Sequence, residues 1–247
     1  MNLLKISAVS YLNTIPFVYG ILKSGHLENF RLDLDVPSAC AEKLRNGEVD
    51  VALVPVGSFP DFKNPVIISE YCIGAVGKVR TVLLLSQKPL EQIDKIHLDY
   101  DSRTSVQLVK VLAEHYWNIS PQWISLNPGQ SDHPEQLESL VAIGDKTFEL
   151  VKDYQYVYDL AEEWIRFTSL PFVFAAWLTL KTIPEQTLKS LNTALEWGIS
   201  RKAESLEYFK DKLPACGDCL SYLENNISFQ FDEEKKKGMQ LYLKYIV

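Results

Sequence analysis

The sequence predicts an α/β protein whose two lobes, each a mixed or parallel sheet flanked by helices, enclose a central cleft. Segments typical of strands alternate with segments typical of helices, which favours parallel sheets joined by crossover helices. No Gly-, Ser- or Pro-rich linker divides the 247 residues, so structured segments must cross between the lobes. Two long apolar strands, Val79–Leu85 and Phe172–Leu180, are the best crossing points. We therefore expect residues 1–85 and 178–247 to form lobe one and residues 86–177 to form lobe two.

The elements of the first third follow from hydrophobic periodicity and from capping residues. Leu3–Val9 is apolar with β-branched members and predicts a strand. Asn13 or Thr14 can cap the next helix, because Asn and Thr side chains accept hydrogen bonds from the free N–H groups of a first turn. Pro16 fits that first turn, and the helix is expected to end near Gly25. Three further elements follow by the same criteria: a strand at Arg31–Val36, a helix from Ser38 to Gly47 and a buried strand at Val49–Val56.

The rest of the chain continues the alternation and ends in helices. Apolar runs predict strands at Val79–Leu85, Ile96–Tyr100, Trp123–Leu126, Leu140–Ile143 and Phe172–Leu180. Ser102 is expected to cap a helix that runs to Trp117, with Val106 and Val109 on its buried face. The last third predicts three helices and one strand: Pro184–Ser200, Ala203–Leu213, the strand Ile227–Phe231, and Glu233–Tyr245.

The composition excludes several classes of partner. The chain is 47% hydrophobic and 23% charged with a formal net charge of −7, and its one Lys run, Lys235–Lys237, directly follows the acidic Asp232–Glu234. We therefore expect no nucleic-acid partner. No stretch approaches the roughly 20 apolar residues that span a membrane, and the N-terminus lacks the pattern of a secretory signal. We expect a cytoplasmic protein with no membrane partner, whose four cysteines are reduced.

Common catalytic motifs are absent from the sequence. It contains no phosphate loop, no dinucleotide-binding fingerprint and no nucleophile elbow. The four histidines are scattered without the spacing of a helical metal site, so we expect neither a metal nor a cofactor. Cys216 and Cys219 form a C-x-x-C pair that lacks the second half of a zinc site, and we interpret it as a reduced, non-catalytic loop.

Four polar loops are candidates for a ligand site. They are Ser10–Thr14, Val54–Val56, Gly77–Thr81 and Asp101–Ser105. In open parallel sheets ligands bind beyond the carboxyl ends of the strands, where such loops meet. The last of them offers hydroxyls, free N–H groups and the Arg103 guanidinium at the positive end of a helix, which suits a carboxylate or a phosphate. The alternative is that Ser102 is a plain helix cap and Arg103 a solvated charge.

A series of short segments, in order through most of the chain, resembles one known family. They are Ser10–Pro16, Val36–Ser38 with Gly47–Asp50, Gly77–Val82, Leu98–Ser105, Ile143–Asp145, Asp159–Trp164 and Leu170–Trp177. Each alone is weak, but the ordered set resembles the chorismate dehydratase family of the futalosine route to menaquinone. The resemblance implies the two-lobed fold of type 2 periplasmic binding proteins, which agrees with the lobes inferred above. This sequence has Ala161 and Ser169 where the family usually has Gly, and Lys78 and Thr81 where it often has Pro and Ser.

The implied reaction removes water from chorismate, a dianion, and gives 3-[(1-carboxyvinyl)oxy]benzoate. Aromatisation of the ring drives it, so no redox cofactor is needed. We expect Arg103 to bind one carboxylate and either Arg80 or Lys78, with the Thr81 hydroxyl, to bind the other. The remaining expected substrate-binding residues are Ser10, Tyr11, Ser102, Thr104 and Ser105.

The expected catalytic residues are Asn13 and Asp145. Asn13 is placed to hydrogen-bond the leaving hydroxyl or a developing charge, or else to cap a helix. Asp145 ends a strand of lobe two and could act as the base, because burial would raise its pKa. Alternatively it caps the helix that follows through Lys146 and Thr147, and the substrate's own enolpyruvyl carboxylate takes the ring proton.

Two rival functions remain open. The sister family that makes 1,4-dihydroxy-6-naphthoate shares the fold and has a His near the position of Gly144 and Asp145, where this chain has none. A non-catalytic solute-binding module also shares the two lobes, but such modules are exported. We expect a small-molecule substrate as the partner and allow for a homodimer.

Overall fold

The computed structural model describes residues 3–98, 103–126 and 136–247, which form eleven strands and nine α-helices. In chain order the strands are β1 (Leu4–Val9), β2 (Phe30–Asp35), β3 (Val51–Pro55), β4 (Val66–Ala75), β5 (Val82–Ser86), β6 (Lys95–Leu98), β7 (Gln122–Ser125), β8 (Ser139–Ile143), β9 (Tyr156–Asp159), β10 (Phe172–Thr179) and β11 (Ser228–Gln230). The α-helices are α1 (Ile15–Lys23), α2 (Pro37–Arg45), α3 (Arg103–Leu112), α4 (Thr147–Leu150), α5 (Leu160–Thr168), α6 (Glu185–Ile199), α7 (Lys202–Tyr208), α8 (Cys219–Asn225) and α9 (Glu233–Ile246). A short 3₁₀ helix, Leu12–Thr14, precedes α1.

The strands form two mixed sheets. The six-stranded sheet has the order β11-β4-β10-β3-β1-β2, and the five-stranded sheet has the order β7-β6-β8-β5-β9. In the first sheet β1 runs parallel to β2 and β3, whereas β10 is antiparallel to both of its neighbours. The central strands β3 and β10 are buried along their whole length, which explains why their sequences are continuously apolar rather than alternating.

The sheets correct the lobe boundaries that we expected from the sequence. β5, which we placed at the end of lobe one, pairs with β8 and β9 and so belongs to the second sheet. β10, most of which we placed in lobe two, lies wholly in the first sheet between β3 and β4. The chain therefore crosses between the sheets at residues 76–81 and 169–171. The apolar patterns of these strands indicated burial, but not which sheet supplied the hydrogen-bonding partners.

The sequence analysis missed four elements of the structure: β4, β9, α5 and α8. β4 is ten residues long and pairs with β10 and β11. Asp159 caps α5, because its carboxylate accepts the Ala161 and Glu162 N–H groups at 3.1 and 3.2 Å. The helix ends at Ser169, which has a left-handed φ of 59° and stands where the resembling family usually has Gly. The predicted helix at Ala203–Leu213 stops earlier, as α7.

The main hydrophobic core runs through both lobes. The two faces of β5 show this, because Val82 and Leu84 belong to the main core whereas Leu83 and Leu85 belong to a smaller cluster behind the second sheet. The alternation is that of a strand with packed layers on both faces. The lobes are therefore joined by continuous apolar packing as well as by two chain crossings.

Helices α1 and α6 cross so closely that only glycine fits at the crossing. A Cβ atom added at Gly198 would overlap the Pro16 carbonyl oxygen, and one added at Gly20 would overlap the Ala194 carbonyl oxygen. By contrast, a Cβ atom added at Gly77 meets nothing within 4 Å, and this glycine has no positive φ.

Gly198→Ala is therefore expected to lower the free energy of unfolding by about 1–3 kcal/mol, because the new methyl group forces the two helices apart. Gly77→Ala is the matched control and should stay within about 0.5 kcal/mol of wild type. Urea unfolding measures both variants. Equal stabilities for the two would show that α1 and α6 do not make this crossing.

Candidate active site

A cavity of about 60 Å³ lies between the lobes. Its polar lining consists of Tyr11, Asn13 and Thr14 from lobe one and Thr81, Thr104 and Ser105 from lobe two, and the other walls are apolar. Ligand sites commonly enclose roughly 300–1,000 Å³. The cavity in this structure is therefore smaller than a site that encloses a substrate-sized molecule.

Two helix N-termini face the cavity, one from each lobe. The 3₁₀ helix and α1 follow β1 and bring Asn13 and Thr14 to the cavity. α3 brings Thr104 and Ser105 in its first turn. Helix N-termini carry free N–H groups and partial positive charge, so both suit an anionic ligand.

Thr104 also joins the lobes. Its Oγ1 accepts the Gly57 N–H at 2.9 Å and lies 3.4 Å from the Phe174 carbonyl oxygen. Tyr242 donates its hydroxyl proton to the Thr104 carbonyl at 2.9 Å. A Cβ atom at Gly57 would lie 2.7 Å from the Thr104 Cα, so this approach requires glycine. The first turn of α3 is thereby fixed against lobe one.

Asn13 lines the cavity and makes a hydrogen bond with its neighbour in the chain. Its Oδ1 accepts the Thr14 hydroxyl proton at 3.1 Å. Beside the cavity, the hydroxyl of Thr81, another lining residue, contacts the buried Tyr222 hydroxyl. The Tyr222 oxygen lies 2.9 Å from Thr81 Oγ1. Tyr11 precedes the 3₁₀ helix and Thr14 precedes α1, and neither residue caps its helix through its side chain. Asn13 lies within the 3₁₀ helix and so is not at a capping position. The geometry thus does not support the alternative that Asn13 is a helix cap.

Tyr222 lies behind the cavity, in contact with the lining residue Thr81, and the sequence analysis missed it. It lies in α8, more than 200 positions from Asn13, and its side chain is completely buried. Burial raises the pKa of its phenol well above the ordinary value. No local pattern marked it, because a tyrosine in a short C-terminal helix is more often an ordinary core residue.

Asp145 lies on the other side of Tyr11 from the main cavity. It lines a second space of about 90 Å³ together with Ser10 and Tyr11. Both carboxylate oxygens face the Leu12 N–H, at 3.1 and 3.2 Å. Asp145 therefore caps the 3₁₀ helix of the opposite lobe, rather than its own following helix as the sequence alternative held. Burial raises its pKa to about 6, and the Leu12 hydrogen bond opposes that rise.

The three expected cations lie outside the main cavity. Arg103 pairs with Asp61, a lobe-one carboxylate that also binds Arg45 at 3.0 Å. Lys78 is exposed and lies 3.8 Å from the Glu162 carboxylate.

Arg80 holds a left-handed φ of 64°, donates its backbone N–H to Asp159 at 2.7 Å, and places its exposed guanidinium over the Phe148 ring. The expectation that Arg103, Arg80 and Lys78 bind substrate carboxylates stays a prediction, and in this structure none of the three lines the main cavity. Their long side chains pair with carboxylates and an aromatic ring that the sequence did not place near them.

The remaining expected residues divide into three groups. Tyr11, Thr81, Thr104 and Ser105 line the main cavity, whereas Ser10 lines the second space. Ser102 lies outside the described residues. Gly144, beside Asp145, has a φ of 71°, and a Cβ atom there would lie 2.9 Å from the Tyr11 ring. Glycine at this position lets Tyr11 pack directly against lobe two.

Three further observations concern metals, membranes and cysteines. Across residues 3–98, 103–126 and 136–247, no group of three or more His, Cys, Asp or Glu residues could hold a metal ion, and no helix is long and apolar enough to cross a membrane. Cys216 and Cys219 are joined in a disulfide, which corrects the expectation that all four cysteines are reduced. Their Cα atoms are 5.4 Å apart, within the range that a disulfide spans.

Comparison with known proteins gives a family and a fold. A family model described as "Menaquinone biosynthesis" matches residues 4–247. The chain is 23% identical to a chorismate dehydratase from Thermus thermophilus over 255 aligned positions, covering 94% of this chain and 91% of that protein.

Three solved structures show the same fold at low sequence identity. A protein from Archaeoglobus fulgidus superposes with a TM-score of 0.75 at 12% identity, covering 98% of this chain and 96% of that chain. The alkanesulfonate-binding protein SsuA from Xanthomonas axonopodis pv. citri gives 0.63 at 15% identity, covering 98% and 93%. A Candida albicans protein described as having the generic periplasmic binding protein fold gives 0.62 at 13% identity, covering 100% and 94%. The predicted fold class is therefore confirmed.

The raised pKa of Asp145 predicts a pH-dependent stability. The pKa of Asp145 is about 6 in the folded protein and 3.8 ordinarily, so the protonated carboxyl stabilises the folded state. This contribution to the free energy of unfolding is complete below about pH 4 and is lost as the pH rises through 6. Asp145→Asn should abolish this loss. Relative to wild type, the variant should therefore gain about 1–3 kcal/mol between pH 4 and pH 7. Urea unfolding across this range measures the difference, and parallel curves for the two proteins would contradict it.

Proposed function

The chain belongs to the menaquinone biosynthesis family, and we propose from this membership that it is a chorismate dehydratase, a carbon–oxygen lyase. The Thermus thermophilus relative with that activity aligns along nearly the whole chain, which supports the assignment. The observation that carries the proposal is the position of Asn13, which lines the cavity between the lobes and whose Oδ1 accepts the Thr14 hydroxyl proton.

The substrate's two negative charges must be bound in a protein of net charge −7. Among the described residues that line the main cavity, none carries a positive charge. We propose that the N-terminus of α3, with the hydroxyls of Thr104 and Ser105, binds one carboxylate. A helix N-terminus supplies partial positive charge without adding a mobile cation. The largely apolar walls then suit the ring, and exclusion of water strengthens each polar contact.

The proton chemistry follows from the same lining. No carboxylate, imidazole or amine is among the described residues of the main cavity, and Asp145 faces the second space instead. We propose that the enolpyruvyl carboxylate of the substrate takes the ring proton. The C–H electrons form the new ring double bond, and hydroxide leaves from the neighbouring carbon and takes up the proton that the carboxylate removed, which gives water. Asn13 donates a hydrogen bond to the leaving oxygen, where negative charge develops.

We also propose that the protein acts in the futalosine route to menaquinone, in the cytoplasm and as a homodimer.

A second candidate function is that of a solute-binding module. It is favoured by the similarity of the fold to SsuA, an alkanesulfonate-binding protein. A binding module would leave chorismate unchanged.

Incubation of the purified protein with chorismate tests the proposal directly. We expect a new aromatic product with the mass of chorismate less one water, followed by ultraviolet absorbance and mass spectrometry. The heat-denatured protein is the control for spontaneous decay of chorismate. Binding without turnover would favour the solute-binding module, and neither binding nor turnover would contradict the assignment.

Asn13→Asp tests the role of the amide. The carboxylate cannot donate a hydrogen bond to the leaving oxygen and adds negative charge beside a dianion. We expect kcat to fall by roughly a hundredfold or more with little change in KM, because the interaction is made in the transition state. The matched control is Asn64→Asp at an exposed position, which should keep wild-type kinetics. Near wild-type turnover by Asn13→Asp would remove Asn13 from the chemistry.

Arg103→Ala tests the corrected position of the arginine. Because Arg103 pairs with Asp61 at the surface, its removal should change kcat/KM by less than about threefold, as expected for an exposed ion pair. Arg45→Ala is the control, since Arg45 binds the same carboxylate. If Arg103→Ala alone loses ten- to hundredfold in kcat/KM, the arginine leaves Asp61 to bind the substrate.

A further inference from the structure

We propose that the Cys216–Cys219 disulfide is a redox modification site, where a dithiol reductant opens the disulfide and thereby releases the Thr81 hydroxyl beside the main cavity. The two are linked by helix α8, which begins at Cys219 and contacts Thr81 from behind the cavity. The kinetic consequence rests on the proposed function. The dependence of α8 on the disulfide is a property of the fold and does not.

Helix α8 binds the chain where it crosses between the lobes. The buried Tyr222 hydroxyl lies 2.9 Å from Thr81 Oγ1. Asn226, the residue after α8, donates a side-chain N–H to the Lys78 carbonyl oxygen at 2.8 Å. Lys78 and Thr81 both belong to the crossing at residues 76–81, and Thr81 lines the main cavity. The position of α8 therefore sets the position of a residue that lines the cavity.

The helix depends on how it begins, because it is only seven residues long. Isolated helices of fewer than about 12 residues are marginal in water, so a short helix relies on its cap and its packing. The cap of α8 is Asp218, whose Oδ1 accepts the Ser221 N–H at 2.9 Å. Asp218 lies between the two cysteines, beside Gly217, which has a left-handed φ of 69°. The disulfide closes the loop of residues 216–219 around this cap and restricts where the Asp218 carboxylate can lie.

The disulfide opens by thiol–disulfide exchange. Cys219 is partly exposed whereas Cys216 is buried, so we expect one thiolate of the dithiol to attack the Cys219 sulfur and displace Cys216 as a thiolate. The second thiolate of the reductant attacks its own mixed disulfide with Cys219, releases the Cys219 thiolate and leaves as a cyclic disulfide. The dithiol thus supplies two electrons and two protons, and the protein ends with two thiols. The Asp218 cap is then no longer confined, and the first turn of α8 can open.

The other two of the four cysteines do not compete for the reductant or for an oxidant. Cys40 and Cys72 are free and buried, and burial raises the pKa of both thiols to about 12. Because the thiolate is the reactive form, both remain inert at neutral pH. A change of redox state therefore acts on a single bond. In the cytoplasm, where we propose that the protein acts, a protein disulfide is usually redox-sensing rather than structural.

Titration of free thiols in the denatured protein establishes the two redox states. We expect two free thiols after mild oxidation and four after reduction with dithiothreitol. Four free thiols in the oxidised protein would overturn the proposal, because the disulfide would then not form.

Hydrogen exchange followed by mass spectrometry tests the dependence of α8 on the disulfide without chorismate. We expect the backbone amides of residues 219–225 to exchange faster in the reduced wild type than in the oxidised wild type, while those of α6 stay unchanged. Asp218→Ala should exchange rapidly in both redox states, because it lacks the cap. The matched control is Asp211→Ala, an exposed position outside α8, which should behave as wild type. Equal exchange of α8 in the two redox states of wild type would overturn the proposal.

Kinetics with chorismate test the consequence for the site. Reduction should lower kcat/KM by roughly tenfold, as for a displaced site group, and reoxidation should restore it. The double variant Cys216→Ser, Cys219→Ser should keep the lower value with or without dithiothreitol. Thr81→Val should lower kcat/KM and abolish the effect of dithiothreitol, because the hydroxyl that α8 positions is gone, whereas Thr81→Ser should retain the effect. Equal kinetics of oxidised and reduced wild type would overturn the link from the disulfide to the site.

The two tests fail separately. If neither redox state dehydrates chorismate, the proposed function fails, and hydrogen exchange still decides whether the disulfide holds α8. If the double variant does not fold, the oxidised and reduced wild type still give the comparison, because neither contains a substitution.

Discussion

The hydrogen bond from the Leu12 N–H to the Asp145 carboxylate is the interaction on which the site depends. It joins the first turn after β1, in lobe one, to the residue that follows Gly144 in lobe two. Asn13 is the next residue after Leu12, so this bond fixes the backbone of Asn13 relative to the opposite lobe. Gly144 makes the approach possible, because any side chain there would collide with the Tyr11 ring. The geometry of the cavity therefore exists only while the lobes are in contact.

The site uses oriented dipoles where the sequence suggested cations. Two helix N-termini and a set of hydroxyls surround the cavity, and the nearby guanidinium groups bind other partners. Oriented backbone dipoles stabilise an anion without the rotational freedom of a long cationic side chain. Selectivity for an anionic ligand then depends on the distance between the two lobes, because the two helix N-termini stabilise a ligand together only when both face it.

The sequence predicted the fold class and those parts of the site that depend on strand ends. The polar turn after β1 and the start of α3 do meet at one cavity, as the topology of open α/β sheets requires. The roles of Arg80, Lys78 and Arg103 in substrate binding stay predictions. Their side chains contact other groups in this structure, because a charge pattern does not give the direction of a side chain. Asp61, the partner of Arg103, is 42 residues away along the chain. Tyr222 was missed because only the folded structure brings α8 to Thr81. The strands β5 and β10 were exchanged because burial does not identify a strand's neighbours.

The place of β10 in its sheet has a consequence for synthesis of the protein. This strand lies between β3 and β4, so the larger sheet remains in two separate pieces until the ribosome has produced residues 172–179. The smaller sheet comes from one continuous stretch of chain, from β5 to β9. All five of these strands leave the ribosome before β10 does. Domains generally fold as units during translation. The inserted lobe can therefore assemble early, while the lobe that contains the N-terminal strand waits for a segment made much later and exposes the edges of β3 and β4 to other chains until then.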